Sequence, residues 1–265
     1  MAFLFFLGGV VFLFRFAIIN WLQQKILYTA GKFAIVNNNS FANADSFHRQ
    51  HLIYSLAGID RIWPHRVNSF KRFNNLYNQF KGFECDIRFD SDNRKLYVAH
   101  DAKEVSLLTF TDYLKADPGH KLFWLDIKNL DLSNINIFCE TLIQIDKQFA
   151  VKKRVILESH DTTVLTHLEK LGYLTSLYLD DVNSIDSSAR KSYISGINSF
   201  LNNHRVLVSQ DIRMHDFMTK NFPGRKQLVW DIRFWNSMNN DILLKHSNDT
   251  TILICLINVK SPGYM

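Results

Sequence analysis

The pattern of apolar and polar positions alternates between two types along most of the chain. From residue 62 onward, short continuous apolar runs alternate with stretches in which apolar residues recur every three or four positions. The apolar runs are Phe83–Phe89, Leu96–Ala99, Leu122–Ile127, Val155–Leu157, Leu174–Leu179, Arg205–Val208, Gln227–Trp230 and Thr251–Leu256. Runs of this kind are typical of strands that helices cover on both faces. They therefore predict a parallel sheet.

Four stretches between these runs have the spacing of amphipathic helices. Their apolar positions are Phe70, Phe73, Tyr77 and Phe80; Ile137, Phe138, Leu142 and Ile145; Val164, Leu165, Leu168 and Leu171; and Tyr193, Ile194, Ile197 and Leu201. Ser133 is a candidate N-cap for the second helix, and Gly172 stands where a glycine often ends a helix. Alternating strands and helices predict an α/β fold, although periodicity alone leaves open whether the sheet is flat or closed into a barrel.

The N-terminus has a different pattern. Ala2–Phe14 is almost wholly apolar, Arg15 interrupts it and Phe16–Leu22 continues it, which together is long enough for one membrane-spanning helix. Residues 1–24 are thus predicted to be a hydrophobic helix that serves as a single membrane anchor. A cleaved signal segment, and hence secretion, is the alternative, although no basic residues precede the apolar stretch. The membrane side stays open. Residues 25–61 are predicted to be a linker that leads into a domain over 62–265.

Composition agrees with one soluble domain behind that segment. The chain has 265 residues, 47% of them hydrophobic, which is enough for one barrel-sized core. A formal charge of +6 without any Lys/Arg block suits a surface that meets phosphate groups or anionic lipid, and no nucleic-acid partner is expected. Cys85, Cys139 and Cys255 lack metal-binding spacing and are predicted to be buried apolar residues, with one disulfide left open.

Acidic residues stand where the apolar runs predict strands. Glu84 and Asp86 are two apart, so both carboxylates face the same side of a strand. Two carboxylates on an inward face repel each other unless a cation lies between them, and oxygen ligands suit Mg²⁺ or Ca²⁺. Asp126 supplies a third carboxylate near the end of Leu122–Ile127, and Lys128 shares its face.

Two histidines also follow apolar segments. His65 and Arg66 follow the apolar Ile62–Trp63, and His100 comes after Leu96–Ala99. Imidazole titrates near neutral pH, so two histidines suit the acid and the base of a phosphodiester cleavage. Arg66, Lys128 and a metal would neutralise the non-bridging oxygens. Each of these pairs alone is an ordinary surface feature, but their order along the chain predicts one site.

The four motifs together resemble the glycerophosphodiester phosphodiesterase and phospholipase-like superfamily of TIM barrels. They are His65-Arg66-Val67-Asn68, Glu84-Cys85-Asp86, His100-Asp101 and Asp126-Ile127-Lys128. The resemblance implies a (β/α)₈ barrel with its site at the carboxyl ends of the strands. It implies that His65 and His100 are the catalytic acid and base. It also implies that Glu84, Asp86 and Asp126 bind one divalent cation, Mg²⁺ or Ca²⁺, and that Lys128 contacts phosphate.

Two branches of the superfamily are similar to parts of the chain. The segments His65–Ser69 and Leu125–Lys128 are similar to the menorin family, while the Asp-x-Lys motif and Asn68 resemble the sphingomyelinase D-like enzymes. The second resemblance implies that Asn68, Trp230 and Asn258 are candidates for the substrate pocket. We expect a phosphoric diester hydrolase, of the glycerophosphodiesterase or phospholipase D type, acting on a glycerophosphodiester or a phospholipid headgroup. The alternative is a non-catalytic barrel that acts in binding or assembly.

Overall fold

The computed structural model describes residues 61–104, 106–117, 121–231, 246 and 249–259. The predicted N-terminal helix over 1–24 and nearly all of the predicted linker lie outside these residues. Within the described ranges, no helix combines the length and the apolar character that crossing a bilayer requires. The predicted anchor therefore stays a prediction.

Strands and helices alternate through the described part of the chain. The strands are β1 Ile62–Pro64, β2 Gly82–Asp90, β3 Lys95–Val98, β4 Leu122–Ile127, β5 Val155–Ser159, β6 Leu174–Tyr178, β7 Leu207–Asp211, β8 Gln227–Asp231 and β9 Ile252–Ile257. The helices are α1 Phe70–Leu76, α2 Phe110–Ala116, α3 Ile135–Phe149, α4 Thr162–Lys170, α5 Ser187–Asn203 and α6 His215–Asn221, with a 3₁₀ turn at Ile212–Met214. Every run predicted to be a strand overlaps one, although Arg205 and Val206 precede β7.

The strands form one sheet in the order β1-β9-β8-β7-β6-β5-β4-β2-β3. All neighbouring pairs are parallel except β2 with β3. The segment that follows β1 also meets β2, at the other end of the parallel series. There the Val67 amide donates to the Glu84 carbonyl oxygen at 2.8 Å. The sheet thus curls round on itself into a TIM-like barrel, and the predicted α/β fold with a mostly parallel sheet is confirmed.

The run Leu96–Ala99 differs from the other strands in direction. It forms β3, which pairs antiparallel with β2 from Ile87↔Val98 to Asp90↔Lys95. Strand β2 continues past its pairing with β4, and β3 returns alongside that extension. The return brings the Ala99 amide to within 3.1 Å of the Asp86 carbonyl oxygen. His100, the next residue, therefore lies level with the carboxylates of β2.

Strand side chains divide between two apolar layers. The interior of the barrel is filled by Trp63, Trp124, Ile156, Leu228, Ile254 and Leu256. The alternate positions, such as Phe83, Cys85 and Phe123, pack outward in a second cluster with residues of α1 to α3. The interior layer is tightly packed near the amino end of β2, where a Cβ on Gly82 would lie only 2.4 Å from the Trp63 indole. Polar residues that end the strands are left at the opposite, open end.

Local details correct two predictions. Helix α3 begins after Asn134 and not after Ser133, whose hydroxyl instead donates to Asp131 Oδ1 at 2.5 Å. All three cysteines are free thiols, and Cys139 is only half-buried. Gly172 has the left-handed φ of +82° expected of a residue that follows a helix end.

Candidate active site

Three carboxylates converge at the carboxyl ends of β2 and β4. Asp86 and Asp126 are direct neighbours in the parallel register, and Glu84 lies one pleat below. Glu84 and Asp86 are 2% and 1% exposed. One oxygen from each of Glu84, Asp86 and Asp126 lies within 4.8 Å of the other two. The predicted same-face placement of these three side chains is what the structure shows.

Two side chains hold Asp86 in position. The Lys128 ammonium lies 2.9 Å from Asp86 Oδ1 and also bonds Asp126. Asn68 donates from Nδ2 to Asp86 Oδ2 at 2.5 Å and accepts the Asp86 amide at 3.0 Å. Asn68, which was expected in the substrate pocket, therefore orients the Asp86 carboxylate in the structure.

The charges of the cluster are unequal. Burial, together with the charges of Asp86 and Asp126, raises the pKa of Glu84 well above its ordinary value. Burial also raises the pKa of Asp126, against the opposing effect of Lys128. Burial alone would raise the pKa of Asp86 as well, but Lys128 and Asn68 hold it below its ordinary value. Without another cation, this site favours protonating one of its carboxylates.

The cluster has the donor set that a hard divalent cation takes. Three carboxylates face one ammonium, which leaves a formal excess of negative charge. Glu84 Oε2 accepts the Arg66 amide at 2.5 Å, whereas the buried Oε1 has no hydrogen-bond partner among the residues that the structure describes. An orphaned buried carboxylate oxygen is costly unless a ligand satisfies it. Carboxylate oxygens are the ligands that Mg²⁺ and Ca²⁺ prefer, so the residues fit such an ion.

His65 lies beside this cluster at the end of β1. Its Nδ1 is 3.2 Å from Asn258 Oδ1, and its Nε2 is 3.6 Å from Glu84 Oε2. Burial and the neighbouring Arg66 charge lower the pKa of His65 to about 4. Because the neutral ring donates from Nδ1 to Asn258, the Nε2 lone pair faces the site. Asn258, the other expected pocket residue near the last strand, therefore orients His65.

Arg66 connects the two predicted histidines. Its backbone is left-handed, with φ of 54°, and its guanidinium reaches to 3.2 Å from His100 Nε2. His100 Nδ1 lies 2.9 Å from Asp101 Oδ1, a carboxylate that orients the ring. His100 is the more accessible histidine, with 37% of its side chain exposed against 13% for His65. The two imidazoles thus approach the cluster from a buried and an open side.

The wall of the barrel mouth that continues from β4 carries groups that were not predicted from the sequence. Glu158, the residue before the last of β5, pairs in register with Asp126 and is 2% exposed. Its Oε2 is also unpartnered among the described residues. The Tyr178 ring stacks on Trp230 at 4.9 Å and contacts His160 at 4.0 Å. Trp230, predicted to line the pocket, is half-buried in this wall. The signal was present, since Glu158 and Tyr178 also stand near the ends of apolar runs.

Comparison with known proteins supports the fold. No protein-family model matches the sequence, and no curated protein matches it. Among solved structures, a glycerophosphodiester phosphodiesterase from Thermotoga maritima matches with a TM-score of 0.53 and 16% identity, over 74% of this chain and 93% of the other. One from Parabacteroides distasonis has a TM-score of 0.51 and 16% identity, over 74% and 91%. An Oleispira antarctica phosphodiesterase in complex with the product sn-glycerol-3-phosphate has a TM-score of 0.51 and 12% identity, over 74% and 92%. The fold of this chain is therefore that of the glycerophosphodiesterase barrels, as the motifs implied.

Proposed function

We propose that the protein is a metal-dependent phosphodiesterase that cleaves a glycerophosphodiester or a phospholipid headgroup. The observation that carries this proposal is the convergence of Glu84, Asp86 and Asp126 with two histidines at one end of the barrel. That end is where TIM-barrel enzymes place their active sites. The likeness in fold to glycerophosphodiester phosphodiesterases supports the same reaction class.

Glu84, Asp86 and Asp126 would hold the cation, Mg²⁺ or Ca²⁺. When bound there, the ion would supply positive charge to a phosphoryl oxygen. Lys128, which already contacts two of the carboxylates, lies where it can also contact a phosphate oxygen. Arg66, exposed beside His100, adds a guanidinium suited to the same group.

The two histidines divide the proton transfers. Neutral His65, with Nε2 facing the carboxylates, accepts the proton of the attacking hydroxyl or water. Once the phosphate of a bound diester takes the Arg66 guanidinium from Nε2, protonated His100, oriented by Asp101, donates a proton to the leaving oxygen, so that the alcohol departs neutral. Two groups of different exposure and charge environment suit these opposite roles.

The substrate class rests on the mouth as a whole. The stacked Tyr178 and Trp230 rings present an apolar wall across from the carboxylates, where the alcohol portion of a diester would pack. The Oleispira phosphodiesterase in complex with sn-glycerol-3-phosphate supports a glycerol-based diester. The apolar segment over 1–24 would keep the enzyme next to lipid.

The assay is hydrolysis of a panel of glycerophosphodiesters and lysophospholipids by the full chain and by His65→Ala and His100→Asn. Each substitution should lower turnover by about 10²–10⁴-fold, the usual contribution of a positioned acid or base. Metal binding and thermal stability should change little, because neither ring is a proposed ligand. Absence of turnover across the panel would favour the non-catalytic barrel. Turnover that survives both substitutions would refute the two-histidine mechanism.

The membrane anchor has its own test. The full chain should sediment with lipid vesicles, whereas a form that begins after Ala34 should stay in the supernatant and still cleave a water-soluble diester. A truncated form that fails to fold would show that the N-terminal segment belongs to the barrel domain.

A further inference from the structure

A second cluster of potential metal ligands lies away from the barrel mouth. It comprises His215, the first residue of α6, with His246 and Asp249, which precede β9. One ligand atom from each of the three lies within 4.8 Å of the other two. Their neighbour Gln227 is the first residue of β8. The cluster therefore sits at the amino ends of β8 and β9, the opposite ends of these strands from the proposed active site.

The protein already orients two of these side chains. His215 Nδ1 lies 2.9 Å from Gln227 Oε1, and its Nε2 lies 2.9 Å from Asp249 Oδ2. Asp249 Oδ1 accepts hydrogen bonds from the Thr251 amide at 2.7 Å and the Thr251 hydroxyl at 2.6 Å. On each side chain, one polar atom is held by a neighbour and the other points into the cluster. Metal ligands are typically fixed by outer partners in this way.

The contacts of His215 favour an additional positive charge. Gln227 Nε2 faces the Thr219 hydroxyl at 3.4 Å and the amide oxygen faces His215, an arrangement in which Nδ1 carries the proton. A neutral imidazole has only one N–H, which leaves an Nε2 lone pair directed at the Asp249 carboxylate. His215 is 4% exposed, so water does not relieve this contact. A metal ion held by Nε2 and Oδ2 would satisfy this contact, as would a second proton.

His246 distinguishes these two solutions. Its ring packs edge-on against that of His215, with the centroids 4.5 Å apart. An imidazolium–carboxylate pair is complete without a second imidazole. The same imidazole gives a metal ion a further nitrogen ligand. Its placement therefore favours the metal.

We propose that His215, His246 and Asp249 form a transition-metal site, with Zn²⁺ as the ion that best fits. Two imidazoles and one carboxylate are a common zinc ligand set, with a fourth position left for water. Hard ions such as Mg²⁺ prefer the all-oxygen set at the barrel mouth. A cleft of about 500 Å³, also lined by Asp216, Thr219 and Lys220, gives the ion access from solvent. The metal would tie α6 to the segment that leads into β9.

The test uses the full chain, stripped with chelator and titrated calorimetrically with Zn²⁺. Glu84→Gln/Asp86→Asn is the background, because it removes the acidic cluster at the mouth as a competing zinc site. On this background about one equivalent should bind, and Co²⁺ should give the visible absorption of a low-coordinate nitrogen and oxygen site. Adding His246→Ala should weaken binding at least about tenfold. His246 lies at the half-buried edge of the cluster, so the fold should tolerate this change.

Thermal unfolding separates the metal from a purely structural imidazolium. Zn²⁺ should raise the melting temperature of the background protein, because an ion that binds only the folded state stabilises it. It should leave the His246→Ala form unchanged. Equal zinc affinity with and without His246, or no zinc binding on the background, would overturn the proposal.

Discussion

Buried carboxylates at the two ends of the barrel differ in their hydrogen-bond partners. Asp117, which precedes β4 at the amino end, is 3% exposed and has a donor for each oxygen. Tyr77 donates to its Oδ1 at 2.7 Å, and the Arg154 guanidinium donates to its Oδ2 at 2.7 Å. Glu84 at the mouth is equally buried, yet its Oε1 has no partner in the described part of the chain.

The difference shows which end contributes stability and which end contributes chemistry. A buried carboxylate with a charged partner and further hydrogen bonds is compatible with a stable fold, and removing the partner is costly. Carboxylates crowded together with unpartnered oxygens destabilise the fold unless a ligand binds them. Such sites are typically maintained for function at a cost in stability. The amino end therefore supports the barrel, and the mouth is built for a ligand.

Replacing the mouth carboxylates should have the largest effect on activity. Glu84→Gln and Asp86→Asn should each abolish metal binding and lower turnover by about 10³-fold or more, since a bound metal contributes several kcal/mol to the transition state. Glu84→Gln should be as stable as the unaltered chain in the absence of metal, because it removes a repulsive charge. Asp86→Asn should be less stable, because it removes the partner of the Lys128 ammonium. Turnover with magnesium titration, followed by thermal unfolding in EDTA, measures both quantities. A variant that loses activity only because it unfolds would contradict the assignment.

Breaking the ion pair at the amino end should give the opposite result. Arg154→Leu leaves Asp117 buried without its charged partner and should lower the free energy of unfolding by about 3–5 kcal/mol. Turnover per folded molecule should be retained at low temperature. Arg94→Leu is the matched control, because its ion pair with Glu140 is 57% and 60% exposed. Exposed pairs contribute about 0–1 kcal/mol, so urea unfolding should barely distinguish that control from the unaltered chain.

A smaller loss of stability is expected at the packed floor of the barrel. Gly82→Ala places a methyl group 2.4 Å from the Trp63 indole, an overlap that should cost about 1–3 kcal/mol. Gly196→Ala is the control, because beyond its own helical turns no described residue comes within 4 Å of the added group, and the site is inside α5. That control should gain about 0.5–1 kcal/mol from helix propensity. Equal effects at the two glycines would show that the Trp63 contact is not rigid.

Much of this architecture could be predicted from periodicity. The run Leu122–Ile127 is β4 at the same bounds, and the two-residue spacing of Glu84 and Asp86 correctly puts both side chains on one face. Periodicity does not indicate the direction of a strand, so the antiparallel course of β3 was not predicted. Its reversal nevertheless brings His100 to the level of Asp86, because strand β2 extends beyond the rim.

Roles that depend on distant contacts could not be predicted from the sequence. Asn68 and Asn258 contact Asp86 and His65, which lie 18 and 193 residues away along the chain, and their expected place in the substrate pocket stays a prediction. The ligands of the proposed zinc site lie 31 and 34 residues from His215, without any spacing motif that joins them. Glu158 directly follows an apolar run in the sequence, but only the sheet register shows that it lies beside Asp126.

Metal-dependent turnover tests the central claim most directly. The full chain, freed of metal with EDTA and dialysed, is assayed on a glycerophosphodiester while Mg²⁺ or Ca²⁺ is added back, with Glu84→Gln in parallel. The account predicts no turnover without metal, saturable recovery on adding one of the two ions, and no recovery in the variant. Undiminished hydrolysis in EDTA, or recovery in Glu84→Gln equal to that of the unaltered chain, would contradict it.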